Sequence, residues 1–470
     1  MRVNLSFRTV IVLAMLVGIA GHVRAAAPIG WRTDGTGCYP DATPPVVWGP
    51  EKNVAWSTPM ASWSNSTPVI TGDRIFVCSE PDTLVCVDRR DGRVLWQRSN
   101  ARLDVMLGDQ AAAAQAKLDD AAPRMKALQE KEHRMRRIRR MIRRDGETDE
   151  LVGKRSQLRA EIETLRKDLG EVEGLRPPQT HNSNGYSSAT PVTDGRFVYV
   201  QFGTGVVACY DVEGERQWIR HVQDSEHGWG QSSSPVLSGG TLVVLIRALY
   251  GIDPATGETN WETVSPQAWG SPGSATIGST PVVITPSGQV VRSSDGGVLW
   301  TEVGELGYCT PVVTDGVLYM IQNTSRATRL PSAIDDGEGP QMLWQATVKG
   351  DRHYASPVIH DGLAYTISRR ELMTVLDATT GGIVYEQQLN LEGDKPNSAY
   401  PSVALAGDYV YVGSQSGKTI VVRAGRDFEI VAENRLEAYR SSPVFQGRRM
   451  YVRGFKKLWC IEGRRVTSQQ

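Results

Sequence analysis

A hydroxyl residue beside proline, followed by Val, returns at intervals along the whole chain. The copies are Thr67-Pro68-Val69, Thr190-Pro191-Val192, Ser234-Pro235-Val236, Thr280-Pro281-Val282, Thr310-Pro311-Val312, Ser356-Pro357-Val358, the variant Pro401-Ser402-Val403, and Ser442-Pro443-Val444. Each is followed by a Gly-containing turn and a β-branched run, as in Asp194-Gly195-Arg196 before Phe197 to Val200. A further strand then ends in an acid, and a second Gly turn leads to an aromatic residue: Asp88 through Gly92 to Trp96, Asp253 through Gly257 to Trp261, Asp377 through Gly381 to Tyr385. The unit is therefore four short strands, repeated eight times.

Successive prolines lie 123, 44, 46, 30, 46, 44 and 42 residues apart. Four-stranded units spaced by about 40 to 45 residues are the blades of a β-propeller. The interval of 30 predicts a worn blade whose outer strands come from Val290 to Trp300, and the interval of 123 predicts an insertion. The last unit stops at Cys460-Ile461-Glu462 without its own outer strand, so Asn53-Val54-Ala55-Trp56 is expected to supply it and close the ring. Composition agrees: 47 Gly and 12 Trp beside only 7 Phe suit tight turns and one Trp per repeat. With 52 basic and 52 acidic residues, the chain has no net field to steer it onto nucleic acid.

The Asp253 to Trp261 element, the Pro-Val strand starts and the Asp-Gly turns resemble the pyrroloquinoline-quinone-like (PQQ-like) β-propeller repeat. That family is shared by quinoprotein alcohol dehydrogenases and BamB-type assembly lipoproteins. The resemblance covers residues 48–96 and 187–462. It implies an all-β, eight-bladed propeller in which Trp56, Trp96, Trp218, Trp261, Trp300 and Trp344 dock each blade on the next. For a dehydrogenase it would further imply a quinone (PQQ) at the axis with a Ca²⁺ ion and an Asp base. The sequence lacks an adjacent Cys-Cys pair to stack on a quinone and offers no matching Asp/Asn/Glu cluster. A non-catalytic interaction or ligand-binding propeller needing no cofactor is the preferred expectation, with the PQQ-dependent dehydrogenase as the alternative.

Residues 101–176 read differently. Leu118, Met125, Leu128, Met135, Ile138 and Ile142, then Leu151, Leu158, Ile162, Leu165, Leu169 and Val172, recur at helical spacing on either side of a polar reversal at 143–149. This predicts an antiparallel hairpin of two helices of about 25 residues each, projecting about 40 Å. Eight Lys and Arg within 131–144 face only Glu132 there, and the insertion holds 18 basic and 15 acidic residues in all. A cross-paired, solvated face is the plain expectation. An acidic envelope protein or an anionic ligand is the partner alternative.

Propellers bind at the axial funnel, lined by residues just before the innermost strands. The candidates are Tyr186, His227, Trp229, Gln231, Arg352, His353, Tyr354, Tyr400, Tyr439 and Arg440, with Asn65, Asn184, Tyr308 and Asn397 beside them. Such a polar and aromatic mixture suits a carbohydrate, a quinone or a peptide. His221 and His227 around Asp224 and Glu226 fit no standard zinc spacing, and no metal site is expected.

At the N-terminus, Arg2 and Arg8 precede an apolar run from Thr9 to Ala20 and a small-residue end, which reads as an export signal over 1–25 cleaved after Ala25. An uncleaved anchor is the alternative, and no Cys stands there to take a lipid. The expected order is leader, extension at 26–47, closing strand and first blade at 48–100, hairpin at 101–176, and the remaining blades at 177–470. The expected product is a periplasmic or extracellular monomer without a transmembrane segment. Cys86, Cys209 and Cys460 share one place in the repeat and read as packed thiols, whereas Cys78 and Cys86 flank a turn that could bring them together as a disulfide.

Overall fold

The computed structural model describes residues 29–334, 337–391 and 399–463, so the leader expected over 1–25 and the candidate Asn397 lie outside them. Among the described residues the strands form eight antiparallel sheets arranged as blades of a propeller, at 69–99, 192–221, 236–263, 273–300, 312–347, 358–388, 404–435 and 444–462. The three inner strands of a blade are covered on both faces by its neighbours and read as apolar runs. Arg74–Ser79 and Thr83–Asp88 are buried almost throughout, while the outer Val94–Ser99 alternates between half-buried and exposed.

The eighth blade takes its outer strand from Val54–Pro59, whose Trp56 pairs with Cys460. The small residue opposite each outer-strand aromatic makes room for it. Cys86 faces Trp96, Cys209 faces Trp218, and Gly251 faces Trp261. The indole N–H groups then reach the next blade: Trp96 donates to Val212 O at 3.2 Å, Trp218 to Pro254 O at 2.9 Å, Trp261 to Ser293 O at 3.1 Å and Trp344 to Ala378 O at 2.8 Å. Trp56 lies over the Gly92 turn of the first blade, where φ is +79° and an added Cβ would stand 2.5 Å from the ring. Trp300 makes no such bond among the described residues; its indole nitrogen lies near Gly339.

Two expectations change. Thr280-Pro281 belongs to the second strand of the fourth blade, Thr280–Ile284, and the innermost strand is Gly273–Ile277, entered through Ser271-Pro272. Gly273 stands where Val follows Pro elsewhere, so the strand start was disguised. The proline intervals there become 37 and 39 residues, and the fourth blade has its full four strands. The hairpin is also unequal: α1 spans Gly108–Asp145, or about 57 Å, and α2 only Asp149–Asp168. The turn is shorter than expected, because α1 continues to a positive-φ Gly146 and Thr148 caps α2 by accepting the Leu151 N–H. Its seam buries Ala121, Leu128, Met135, Leu158, Ile162, Leu169 and Val172.

All six cysteines are free thiols. Cys78 pairs with Leu84 and Cys86 with Phe76 across their hairpin, so the two are diagonal neighbours and no disulfide joins them.

Residues 29–48, read from sequence only as an extension, run beneath the ring. Ile29 bridges to Thr193 in the second blade, and Cys38–Tyr39 adds a parallel fifth strand to the seventh blade beside Leu405 and Ala406. Between them Arg32 is wholly buried, and its Nη2 donates to Pro357 O at 2.9 Å and Val403 O at 2.7 Å. Gly37, at φ +73°, leaves the space that the guanidinium fills.

Candidate axial site

The hydroxyl residues that open the innermost strands meet at the axis. Thr67 N donates to Thr190 Oγ1 at 3.0 Å, Thr190 N to Ser234 Oγ at 2.9 Å, Ser234 N to Ser271 Oγ at 2.9 Å and Ser271 N to Thr310 Oγ1 at 3.0 Å. Thr310 N donates to Ser356 Oγ at 3.0 Å, Ser356 N to Ser402 Oγ at 3.0 Å, Ser402 N to Ser442 Oγ at 3.2 Å, and Ser442 N returns to Thr67 Oγ1 at 3.2 Å. Eight blades are thus joined by a closed circle of backbone-to-hydroxyl bonds, all eight hydroxyl residues buried. The residue needed is one with a hydroxyl and an N–H just before the strand, a place Pro cannot take; it precedes Pro in seven blades, and in the remaining one Ser402 follows Pro401.

Side chains alternate along an extended segment, so residues two before the ring point the same way and form a second tier: Asn65, Ser188, Ser232, Trp269, Tyr308, Tyr354, Tyr400 and Arg440. Both tiers line an axial cavity of about 120 Å³, with Trp31 of the N-terminal segment also in its wall and bordering a recess beyond the ring. A larger recess of about 570 Å³ lies on the rim, lined by Trp300 and Met342 together with Glu302 and Arg326.

Part of the second tier is a run of rings. His227 meets Trp269 edge-on at 5.0 Å, Trp269 stacks on Tyr308 at 5.5 Å, Tyr308 meets Tyr354 edge-on at 4.9 Å, and Tyr354 stacks on Tyr400 at 4.8 Å. Two cations rest on this arc, Arg352 over Tyr308 at 6.0 Å and Arg440 over Tyr400 at 4.5 Å. Arg440 is held by Gln415 Oε1 at 2.6 Å and by Ser183 O, with no carboxylate bonded to it among the described residues, and burial pulls its pKa down. Burial lowers that of Arg32 as well, and its Nε and Nη1 find no partner among the described residues.

The parity of that alternation sorts the sequence candidates. Tyr354, Tyr400 and Arg440 line the cavity, as do Asn65 and Tyr308. Gln231, His353 and Tyr439 stand three before their ring residues and turn into the wall. Gln231 Nε2 bonds backbone carbonyls including Ile246 O, Tyr439 shares a hydrogen bond with Thr419 at 2.5 Å, and His353 is buried with neither ring nitrogen bonded. Burial pushes the His353 pKa down to about 4. Tyr186, Arg352 and His227 stand farther from the ring; Tyr186 is held by Pro178 O at 2.9 Å. Trp229 is exposed on a loop and stacks on His181 at 4.0 Å, with Asn184 donating to its carbonyl. Trp269 and Trp31 were missed. Trp269 would have been found by counting two back from Ser271, but that strand start was misassigned.

Asp224 is occupied: Arg102 and His221 both bond it, and Arg102 Nε also reaches Gly174 O, fixing both ends of the hairpin to the second blade. Among the described residues no group of three or more His, Cys, Asp or Glu could hold a metal ion. No described helix is long and apolar enough to cross a membrane.

On the hairpin, Lys131–Glu161, Arg166–Glu132 and Arg124–Glu171 pair across the helices. The cross-paired face expected from the sequence stops there. Arg136, Arg137, Arg139, Arg140 and Arg143 are exposed and make no hydrogen bond or ion pair among the described residues.

A sequence profile described as outer membrane protein assembly factor BamB matches residues 46–126, 179–330 and 286–469, leaving out most of the hairpin. No protein of curated function matches the sequence. Similar solved structures include BamB from Moraxella catarrhalis, 11% identical with a TM-score of 0.54, covering 86% of this chain and 98% of that one. Another is the quinohemoprotein alcohol dehydrogenase ADHIIG from Pseudomonas putida HK5, 11% identical at 0.54, covering 90% and 78%. A europium-containing methanol dehydrogenase is 10% identical at 0.53, covering 85% and 84%.

Proposed function

The chain belongs to the PQQ-like β-propeller family of the outer membrane protein assembly factor BamB, and from that membership we propose that it is an exported, non-catalytic propeller acting as an interaction scaffold in the cell envelope. The observation that carries this reading is the hairpin. It is a two-helix arm with its own apolar seam, tied to the second blade through Arg102, and it presents Arg136, Arg137, Arg139, Arg140 and Arg143 without acidic partners among the described residues. Like charges four apart, as at Arg136 and Arg140 or Arg139 and Arg143, oppose a helix by a few tenths of a kcal/mol each. An anionic partner would reverse that repulsion.

The oxidoreductase reading is disfavoured by the donor set at the axis. Among the described residues the cavity is lined by hydroxyls, aromatic rings and one arginine, with no carboxylate to hold Ca²⁺ or take a proton. Its volume of about 120 Å³ is below the roughly 300 Å³ at which small-molecule pockets begin. These residues do not fit a tricyclic quinone with its metal ion, and no step is derived through one.

The test is co-purification from the envelope fraction with the full chain, a chain with 101–176 replaced by a Gly/Ser linker, and an Arg136, Arg137, Arg139, Arg140→Glu variant. Both changes should abolish capture of an acidic partner, and high salt should weaken the native contact. Dye-linked alcohol oxidation on addition of quinone and Ca²⁺ would overturn the scaffold reading.

A further inference from the structure

We propose that the axial cavity is an oxyanion site, taking the phosphate or sulfate head of a small ester whose flat body rests on the aromatic arc at the mouth. This goes beyond the scaffold reading, which rests on the hairpin, and gives the axial funnel a ligand class of its own.

The argument begins with unused donors. Each ring hydroxyl accepts one backbone N–H, which leaves its own O–H to donate. For seven of the eight no acceptor of that O–H is found among the described residues. The eighth, Ser356, also lies within reach of the Cys309 thiol. All eight border the same cavity. Converging donors without acceptors favour a ligand with many lone pairs, and a tetrahedral oxyanion offers more of them than a carboxylate or a sugar hydroxyl.

Charge points the same way. Arg440 stands in the tier above the ring with no carboxylate partner. On the other side, the Arg32 guanidinium bonds the carbonyls of Pro357 and Val403, the residues directly after ring members Ser356 and Ser402. Arg440 thus borders the cavity as a half-buried cation with no acid paired to it among the described residues, while the wholly buried Arg32, with Asp34 nearby, adds positive charge from behind the ring. A buried charge is costly until it is paired, so an anion in the cavity would relieve Arg440.

Size and shape set the class. About 120 Å³ admits a tetrahedral head and falls well short of the roughly 300 Å³ that a whole drug-sized ligand occupies. The body must then lie above, where Trp269, Tyr308, Tyr354 and Tyr400 are half-buried. Arginine suits the head because its planar fork binds phosphate oxygens in pairs.

Titration calorimetry of the full chain should be run with inorganic phosphate, phenyl phosphate, phenyl sulfate, benzoate and the neutral phenyl glucoside. Phenyl phosphate or phenyl sulfate should bind at least tenfold more tightly than inorganic phosphate, and benzoate and the glucoside more weakly still. Arg440→Gln should lose tenfold or more for every oxyanion, while Arg440→Lys, which keeps the charge but not the paired bonds, should lose less than Arg440→Gln. Tyr400→Leu should remove the advantage of the phenyl group and leave inorganic phosphate unchanged. If Arg440→Gln does not fold, the lysine and leucine variants still decide the matter. The proposal is overturned if no oxyanion binds at millimolar concentration, if the glucoside binds as well as phenyl phosphate, or if Arg440→Gln binds like the native chain. None of these outcomes depends on alcohol oxidation, whose appearance would instead sink the scaffold reading.

Discussion

Ser442 and Thr67 stand 375 positions apart in the chain, yet the Ser442 backbone N–H donates to Thr67 Oγ1 at 3.2 Å. That bond joins the last blade to the first at the axis, and the pairing of Trp56 with Cys460 joins them again at the rim. The ring is closed twice, at its inner and outer radius.

Closure at the rim can be weakened selectively. Trp56→Ala removes the ring over Gly92, and Gly92→Ala places a Cβ 2.5 Å from it on a backbone with φ +79°. We expect losses of about 3 kcal/mol for the tryptophan change and about 1–3 kcal/mol for the glycine change. Urea unfolding reads both as a lower midpoint at constant slope. A native midpoint for either would mean that the outer contact adds nothing to the ring.

The hairpin should be removable. With 101–176 replaced by a short linker, the α-helical signal in far-UV circular dichroism should fall while near-UV signals of the blade tryptophans persist. Loss of both would show that α1 and α2 are needed for the second blade to form.

Acid should weaken the fold through His353. Its folded-state pKa of about 4 lies below the ordinary histidine value of 6.5, because burial disfavours the imidazolium. A depressed histidine contributes stability above pH 6.5. That contribution is lost as pH falls towards 4, since the unfolded chain takes up the proton first. The full loss approaches about 3 kcal/mol. His353→Gln should flatten the stability profile between pH 6.5 and 4.5 relative to the native chain. Parallel profiles would place the acid sensitivity elsewhere.

Thiol counting tests the cysteines. Burial pushes Cys78, Cys86, Cys209, Cys309 and Cys460 up to about 12 and Cys38 up to about 11. All should resist a thiol reagent in the native protein, and six should react in denaturant without prior reduction. Four would reveal a disulfide.

What was legible in the sequence followed from periodicity. Seven of the eight strand starts and the borrowed outer strand could be read because a hydroxyl, a proline and a Val recur in phase. The fourth blade was misregistered because Gly273 replaced the usual Val while Thr280-Pro281-Val282 imitated the motif nine residues later. At the axis, proximity to a strand start was too coarse a rule. Tyr354 and His353 are adjacent, yet one faces the cavity and the other the wall, because direction in an extended chain depends on odd or even offset. The path of residues 29–48 has no periodic signal, so Trp31 and Arg32 gave no sign of their place beneath the ring.

The borrowed strand also sets an order of events in folding. Val54–Pro59 must wait for Lys457–Glu462, about 400 residues later, and Cys38–Tyr39 must wait for Ala404–Ala406. At a synthesis rate of about 5–20 residues per second, the N-terminal segment stays without its partners for roughly 20 seconds or more. Pairings this distant slow the final step. During that interval Val54–Pro59 is itself a strand without a partner and the first blade lacks the last blade beside it, and this is when an unfinished chain is most prone to join a second copy of itself.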